Sequence, residues 1–407
     1  MTEWPVGCAT FIREMPENPE VGEPMDHKCP ACRSAVPSSP FCGECGEPQN
    51  GRRFPLRPAT FAVAPRERLE LPLVTSSIFP QLAEKYRTPF RHGLFLVLTM
   101  LVAFSLLRLL GPLVVVVSFG IPLLFGLYVW RSDALSDIPA PALAASVILG
   151  GGLGAAWWIW TGNLVADEYD IPLGAASQLQ GAISFGLLVT LVGGAIMLLP
   201  ALAVRMLRPP ARESLDGFLI GALGALSYSA AGTITWLAPQ FFQGLLNIYG
   251  PGLLLEQALL YGLVDPLTAA ATGGVLGLAL WFRPADRGGR QARRIRALLW
   301  ILATFCLALY MAVYVLDASE LPRFAEIGFN TVITAAALVT ARIGVQAALL
   351  YEESQPATHA PVHCEHCEQT VPEMSFCPQC GAATRALSRS ARRLRRQSPP
   401  KPAVGGE

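Results

Sequence analysis

Eight of the ten cysteines fall in four C-x-x-C pairs, and those pairs are themselves paired at the two ends of the chain. Cys29, Cys32, Cys42 and Cys45 obey the spacing C-x2-C-x9-C-x2-C-G, and Cys364, Cys367, Cys377 and Cys380 repeat it. Aligned by cysteine, "CPACRSAVPSSPFCGECG" and "CEHCEQTVPEMSFCPQCG" also share Val-Pro and Phe-Cys, so one short module occurs twice. Two thiolate pairs joined by a short turn supply four soft ligands, the donor set of a tetrahedral Zn2+ site. With all four positions filled by protein, such an ion is structural, because no place remains for a reacting water. A module of 18 residues has too little core to fold unaided, so metal binding would supply its folding free energy. The closing glycine suits a knuckle whose turn requires positive φ.

These cysteine patterns resemble the bacterial zinc-ribbon family. The resemblance implies a small β-hairpin ribbon at each end and two structural Zn2+ ions, one per four-cysteine set. C-x-x-C is also a redox motif, but no thioredoxin-like strand and helix surround it here. His363 and His366 are possible substitute ligands, against which stands the first module, where no such histidine occurs. Cys8 and Cys306 lie outside the pattern, as a tail thiol and an apolar core residue. Aromatic and basic residues are not interleaved in either module, so nucleic acid is not the expected partner.

The elements that carry the modules are of another kind. The chain has 407 residues, of which 52% are hydrophobic and 15% charged. That composition excludes an ordinary soluble enzyme and describes an all-α polytopic membrane bundle in a lipid bilayer. Apolar runs of roughly 20 residues place eight spans, near 93–110, 112–130, 141–161, 179–204, 215–237, 259–282, 297–316 and 325–350. Helices are the expected form, since backbone groups in lipid must bond internally. A short amphipathic helix is also compatible with Ile78 to Arg87. The net charge of +1 conceals a segregation of arginines. Arg131, the group Arg205, Arg208 and Arg212, and the six arginines from Arg283 to Arg296 lie in alternate loops, whereas "TGNLVADEYDIPLG" and "PQFFQGLLNIYGPG" hold no Lys or Arg. Positive loops stay inside, so both termini are expected in the cytoplasm of a multi-pass inner-membrane protein. The start of the chain does not read as a secretory signal.

The expected order is a tail at 1–28, a ribbon at 29–47, a linker at 48–90, the transmembrane domain at 91–351, a linker at 352–362, a second ribbon at 363–382 and a basic tail at 383–407. Glycines recur at four-residue spacing in "GGGLG", "GFLIG" and "GGVLG", a pattern that lets helices approach closely. Trp157, Trp158 and Trp160 stand where interfacial anchors would. Of the ionisable residues within or beside the spans, Asp216 suits a helix cap, and Arg108 lies near a boundary where it can snorkel. Glu256 and Asp265, nine residues apart, would point to nearly opposite faces of a regular helix. With Arg342 they are the residues a transporter or channel would use.

The segment "LLPALAVRMLRPPARESLDGFLIGALGALSYSAAGTI" is similar to part of the PrsW-type intramembrane metalloproteases, and "LVDPLTAAATGGVLGLALWF" looks like their later histidine-bearing helix. The likeness covers roughly residues 185–282 and is best in "ESLDGFLIGALGAL", which is scaffold. The family's paired glutamates are replaced by Ala203 and Val204, its later glutamate by Gly232 or a neighbour, and its histidine by Thr268 or Ala269. The resemblance therefore implies a non-hydrolytic relative, with the metalloprotease itself as the alternative. The expected role is a scaffold, binding or regulatory protein, with a cytosolic protein partner reached through the ribbons and a homo-oligomer compatible with the bundle.

Overall fold

The computed structural model describes residues 27–30, 33–44, 49, 84–131, 138–169, 182–207, 213–242, 244, 250–284, 289–317, 322–352, 361–364, 369–381 and 384. Its chain forms two compact units. One gathers the cysteine modules of both tails and the other holds the helices.

In the helical unit the elements are α1 (Glu84–Leu106), α2 (Leu110–Arg131), α3 (Ala140–Tyr169), α4 (Ala182–Met206), α5 (Ser214–Phe242), α6 (Pro251–Leu259), α7 (Asp265–Trp281), α8 (Arg290–Asp317) and α9 (Arg323–Tyr351). A single π-helical turn, Leu260–Val264, joins α6 to α7. Among the described residues, seven segments are long and apolar enough to cross a membrane: α2, α3, α4, α5, the continuous run Pro251–Trp281, α8 and α9. The expected first span is the exception. Its apolar part runs only from His92 to Leu106, short of the length the other seven reach. It stops there because Arg108 takes a left-handed conformation with φ 55°, and the Leu109 amide bonds back to the Phe104 carbonyl at 2.9 Å, which closes the helix in the manner of a Schellman turn. Of the amphipathic segment proposed at 78–87, residues 84–87 begin α1 and residues 78–83 lie outside the described set.

The centre of the bundle is α5 against α7. In the most apolar stretches of α5 and of Pro251–Trp281, 78% of residues are buried, against 28% for α3 and α8. Outer helices turn Ile148, Leu191, Ile301 and Val332 outward, as a lipid-facing surface requires. The glycine motifs explain the close centre. A Cβ on Gly221 would overlap the Gly273 carbonyl, one on Gly277 would overlap the Gly217 carbonyl, and on the other side of α5 the backbones of Gly224 and Tyr228 occupy the space beside Gly150 and Gly154 of α3. Ser146 adds a bond from its hydroxyl to the Ile220 carbonyl at 2.7 Å. By contrast Gly151 and Gly152 face open space.

In the other unit, β1 (His27–Lys28) pairs antiparallel with β2 (Ala35–Val36), and β3 (Pro361–His363) with β4 (Thr370–Pro372). The register repeats: His27 opposes Val36 as Val362 opposes Val371, and Lys28 opposes Ala35 as His363 opposes Thr370. The Cys29 amide bonds the Ser34 carbonyl at 3.0 Å, and the Cys364 amide bonds the equivalent Gln369 carbonyl at 2.9 Å. Sequence repetition has become structural repetition.

Steric overlap at a helix seam costs about 1–3 kcal/mol, while removing an unneeded helix glycine gains up to about 1 kcal/mol. Gly221→Ala should therefore lower the thermal midpoint of the detergent-solubilised protein, and Gly151→Ala should leave it unchanged or raise it. Circular dichroism melts of the two variants check this.

Candidate metal and intramembrane sites

Metal-type chemistry is concentrated in the tails. The ligand sulfurs of Cys364, Cys377 and Cys380 all lie within 4.8 Å of one another. Among the described residues this is the one convergence of three or more His, Cys, Asp or Glu side chains. With Zn–S bonds of about 2.3 Å, a ZnS4 tetrahedron has edges of about 3.8 Å, and the Cys364 and Cys380 sulfurs stand 3.8 Å apart. The fit is therefore of donor type and spacing together. Gly381 closes this knuckle with φ 74°, and its amide bonds the Cys377 carbonyl at 2.8 Å. In the first module Cys29 and Cys42 are buried beside Val36, and Arg33 takes φ 62° in the turn after Cys29. Cys32, Cys45 and Cys367, also expected as ligands, lie outside the described residues.

The two modules touch, and the contact follows their repeat. The Phe41 amide bonds the Pro378 carbonyl at 2.9 Å, and the Phe376 amide bonds the Gly43 carbonyl at 2.8 Å. Phe41 corresponds to Phe376, and Gly43 to Pro378, in the alignment of the modules. The bonds are therefore exchanged between equivalent positions, as in a two-fold interface. Side chains close it: Met374 fills the space that a Cβ on Gly43 would take, and the Phe41 ring lies against Gly381.

Within the bundle the ionisable residues separate into two groups. At one end, Asp216 accepts a bond from the Glu213 amide at 3.3 Å, a capping-box contact at the start of α5. Glu352, just beyond α9, accepts bonds from the Ser214 amide at 2.8 Å and the Ser214 hydroxyl at 2.9 Å. Its backbone bridges to Pro284. Burial, with Glu213 and Asp216 nearby, pushes the Glu352 carboxyl up to about 8. Arg205 bonds the Leu280 carbonyl at 3.0 Å and stands 5.4 Å over the Trp281 ring.

At the opposite end Glu256, Asp265 and Glu326 are buried. Asp265 accepts bonds from the Ser229 hydroxyl and from the Tyr314 hydroxyl at 2.6 Å, and Tyr314 lies 3.0 Å from the Tyr310 hydroxyl. Tyr261 donates to Asp317 at 3.3 Å. The expectation that a regular helix separates Glu256 from Asp265 needs correction, because the helix between them is not regular. Pro266 has no amide hydrogen and crowds the preceding turn. The widened turn absorbs it, with the Asp265 amide bonding the Leu260 carbonyl, and that resets the face to which Asp265 points. Arg342 is buried within α9, and Arg108 is exposed at the α1–α2 turn.

The three tryptophans of α3 have different surroundings. Trp160 is exposed at 54%. Trp157 packs into the core beside Tyr228, and Trp158 meets Trp236 with ring centroids 5.7 Å apart. Both of these side chains are half-buried.

No family model, curated protein or solved structure matches the chain. Fold and site define a multi-pass helical protein whose tails carry a metal-type cysteine cluster. Three of the positions named in the sequence comparison lie in apolar surroundings. Ala269 is fully buried among Met197, Ala225, Tyr228 and Tyr310, Val204 is fully buried, and the Trp158 indole occupies the space beside Gly232.

The raised carboxyl of Glu352 has a pH signature. Its folded value of about 8 lies above the ordinary carboxyl value of roughly 4.3, so folding favours the protonated form. Its contribution is full below the unfolded value and is lost as pH rises through the folded one. The melting midpoint of the protein should fall between about pH 4.5 and pH 8, and Glu352→Gln should flatten that part of the profile.

Proposed function

We propose that this chain is a non-hydrolytic membrane scaffold of the bacterial inner membrane, whose cytosolic tails are joined by two paired zinc ribbons. Support comes first from the reciprocal bonds between Phe41 and Pro378 and between Phe376 and Gly43. They give the modules a mutual binding surface, so the pair would present one composite face to a cytosolic protein partner. The tetrahedral spacing of Cys364 and Cys380 supports a closed structural ion in the second module, and the repeated hairpin register supports the same role in the first.

In this reading Cys29, Cys32, Cys42 and Cys45 hold one Zn2+ and Cys364, Cys367, Cys377 and Cys380 the other. Zinc fixes the two knuckles, because a hairpin of two or three residues per strand has little core of its own. The bundle supplies membrane attachment on a PrsW-like plan, with the short apolar part of α1 as an eighth crossing and the arginine-rich loops on the tail side. The absence of His, Asp and Glu at Ala203, Val204, Gly232, Thr268 and Ala269 supports the non-hydrolytic assignment.

The proposal is tested by counting metal. Purified full-length protein should carry two zinc ions per chain by mass spectrometry of the metal. Cys42→Ser and Cys377→Ser should each reduce the count to about one, and serine at all eight positions should abolish it. A zinc ion that survives the eightfold replacement would restore the protease reading.

A further inference from the structure

Six aromatic side chains surround the carboxylate of Asp265. Trp158 from α3, Tyr228 and Trp236 from α5, Tyr261 from the π-helical turn, and Tyr310 and Tyr314 from α8 line a small cavity with it. The space accommodates about one water molecule. None of the ten described residues lining it is Lys, Arg or His. Asp265 itself is only 3% exposed, and the donors reaching it from Ser229 and Tyr314 are neutral hydroxyls. An acid at this depth must either take up a proton or hold its charge against a cation.

The surroundings favour a cation. Ring faces attract positive charge within about 6 Å. Tyr261 forms part of the wall and also bonds Asp317, and Glu326 has Glu256 and Asp317 as neighbours. A series of carboxyl groups therefore leads toward the cavity from the end of the bundle where α5 finishes and α9 starts. A π-helical turn, a feature frequent at functional sites, orients the central acid.

We infer that Asp265 is the anionic centre of a binding site for one small monovalent cation, of the size of a sodium ion. Ser229 and Tyr314 position its two oxygens, and the aromatic walls exclude larger organic cations. The site stands apart from the cysteine modules and from the scaffold reading.

Full-length, zinc-loaded protein in detergent tests this by thermal unfolding, with sodium chloride exchanged for N-methylglucamine chloride at constant ionic strength. Infrared spectra taken across a pH series report carboxyl protonation. A sodium site predicts a midpoint that rises with sodium, saturates, and loses the rise in Asp265→Asn. No sodium effect together with a protonated-carboxyl band that Asp265→Asn removes would show a neutral buried acid and overturn the proposal. Tyr314→Phe removes the hydroxyl that bonds both Asp265 and Tyr310, so it should weaken the apparent sodium affinity about fivefold. The proposal is overturned if Asp265→Asn responds to sodium and pH as the parent does, or if choline raises the midpoint as much as sodium. Should Asp265→Asn fail to fold, an unaltered sodium response and an unaltered carboxyl band in Tyr314→Phe overturn it.

Discussion

The bundle depends on backbone meeting backbone between α5 and α7. Hydrophobic burial gives little drive for one helix to bind another within lipid, so close packing must supply it. Gly217 and Gly221 meet Gly277 and Gly273 without side chains between them. The helices are antiparallel, and the same seam extends to the polar site. Ser229 lies eight residues beyond Gly221, and Asp265 lies eight residues before Gly273. About two turns from the glycine contact, the Ser229 hydroxyl therefore meets the Asp265 carboxylate. A bulkier residue in the seam would separate that pair as well as loosen the packing.

Lipid also dictates how the remaining polar atoms are used. Many hydroxyls return to the carbonyl four residues earlier in their own helix, as Ser105, Thr235 and Thr340 do. Few are spent between helices. Thr272 reaches the Cys306 carbonyl at 3.1 Å, and Ser146 reaches Ile220. Against that background the gathering of Ser229, Asp265, Tyr310 and Tyr314 is an expensive departure from an apolar core. Such arrangements persist in membranes where they serve a ligand or an ion.

Much of this was legible in the residue order, and the remainder failed for identifiable reasons. Cysteine spacing revealed the repeat, and the structure has its matching register and the positive φ of Gly381. Glycine spacing identified the seams, because a missing side chain has the same meaning in any helix pair. Asp265 was visible as an intramembrane acid, but its partners were not. Ser229, Tyr310 and Tyr314 come from two other helices, and no short spacing connects them to it. Nor did regular helical geometry anticipate the π turn before Pro266, on which the direction of Asp265 depends.

The tail modules answer a different physical problem. Each has too little apolar surface to hold itself together, so thiolate–metal bonds would supply the stability and mutual pairing would bury what remains, including Met374 against Gly43. On this account the pairing depends on zinc, and the tails separate when it is withdrawn. The most direct measurement is the distance between paramagnetic labels attached without thiol chemistry at Ala35 and Pro361 in the full-length protein, by pulsed electron spin resonance before and after chelation. A single narrow, short distance in the zinc-loaded protein that broadens and lengthens on chelation is the predicted result. A broad distribution in the zinc-loaded protein, or a narrow one that chelation leaves untouched, would contradict it.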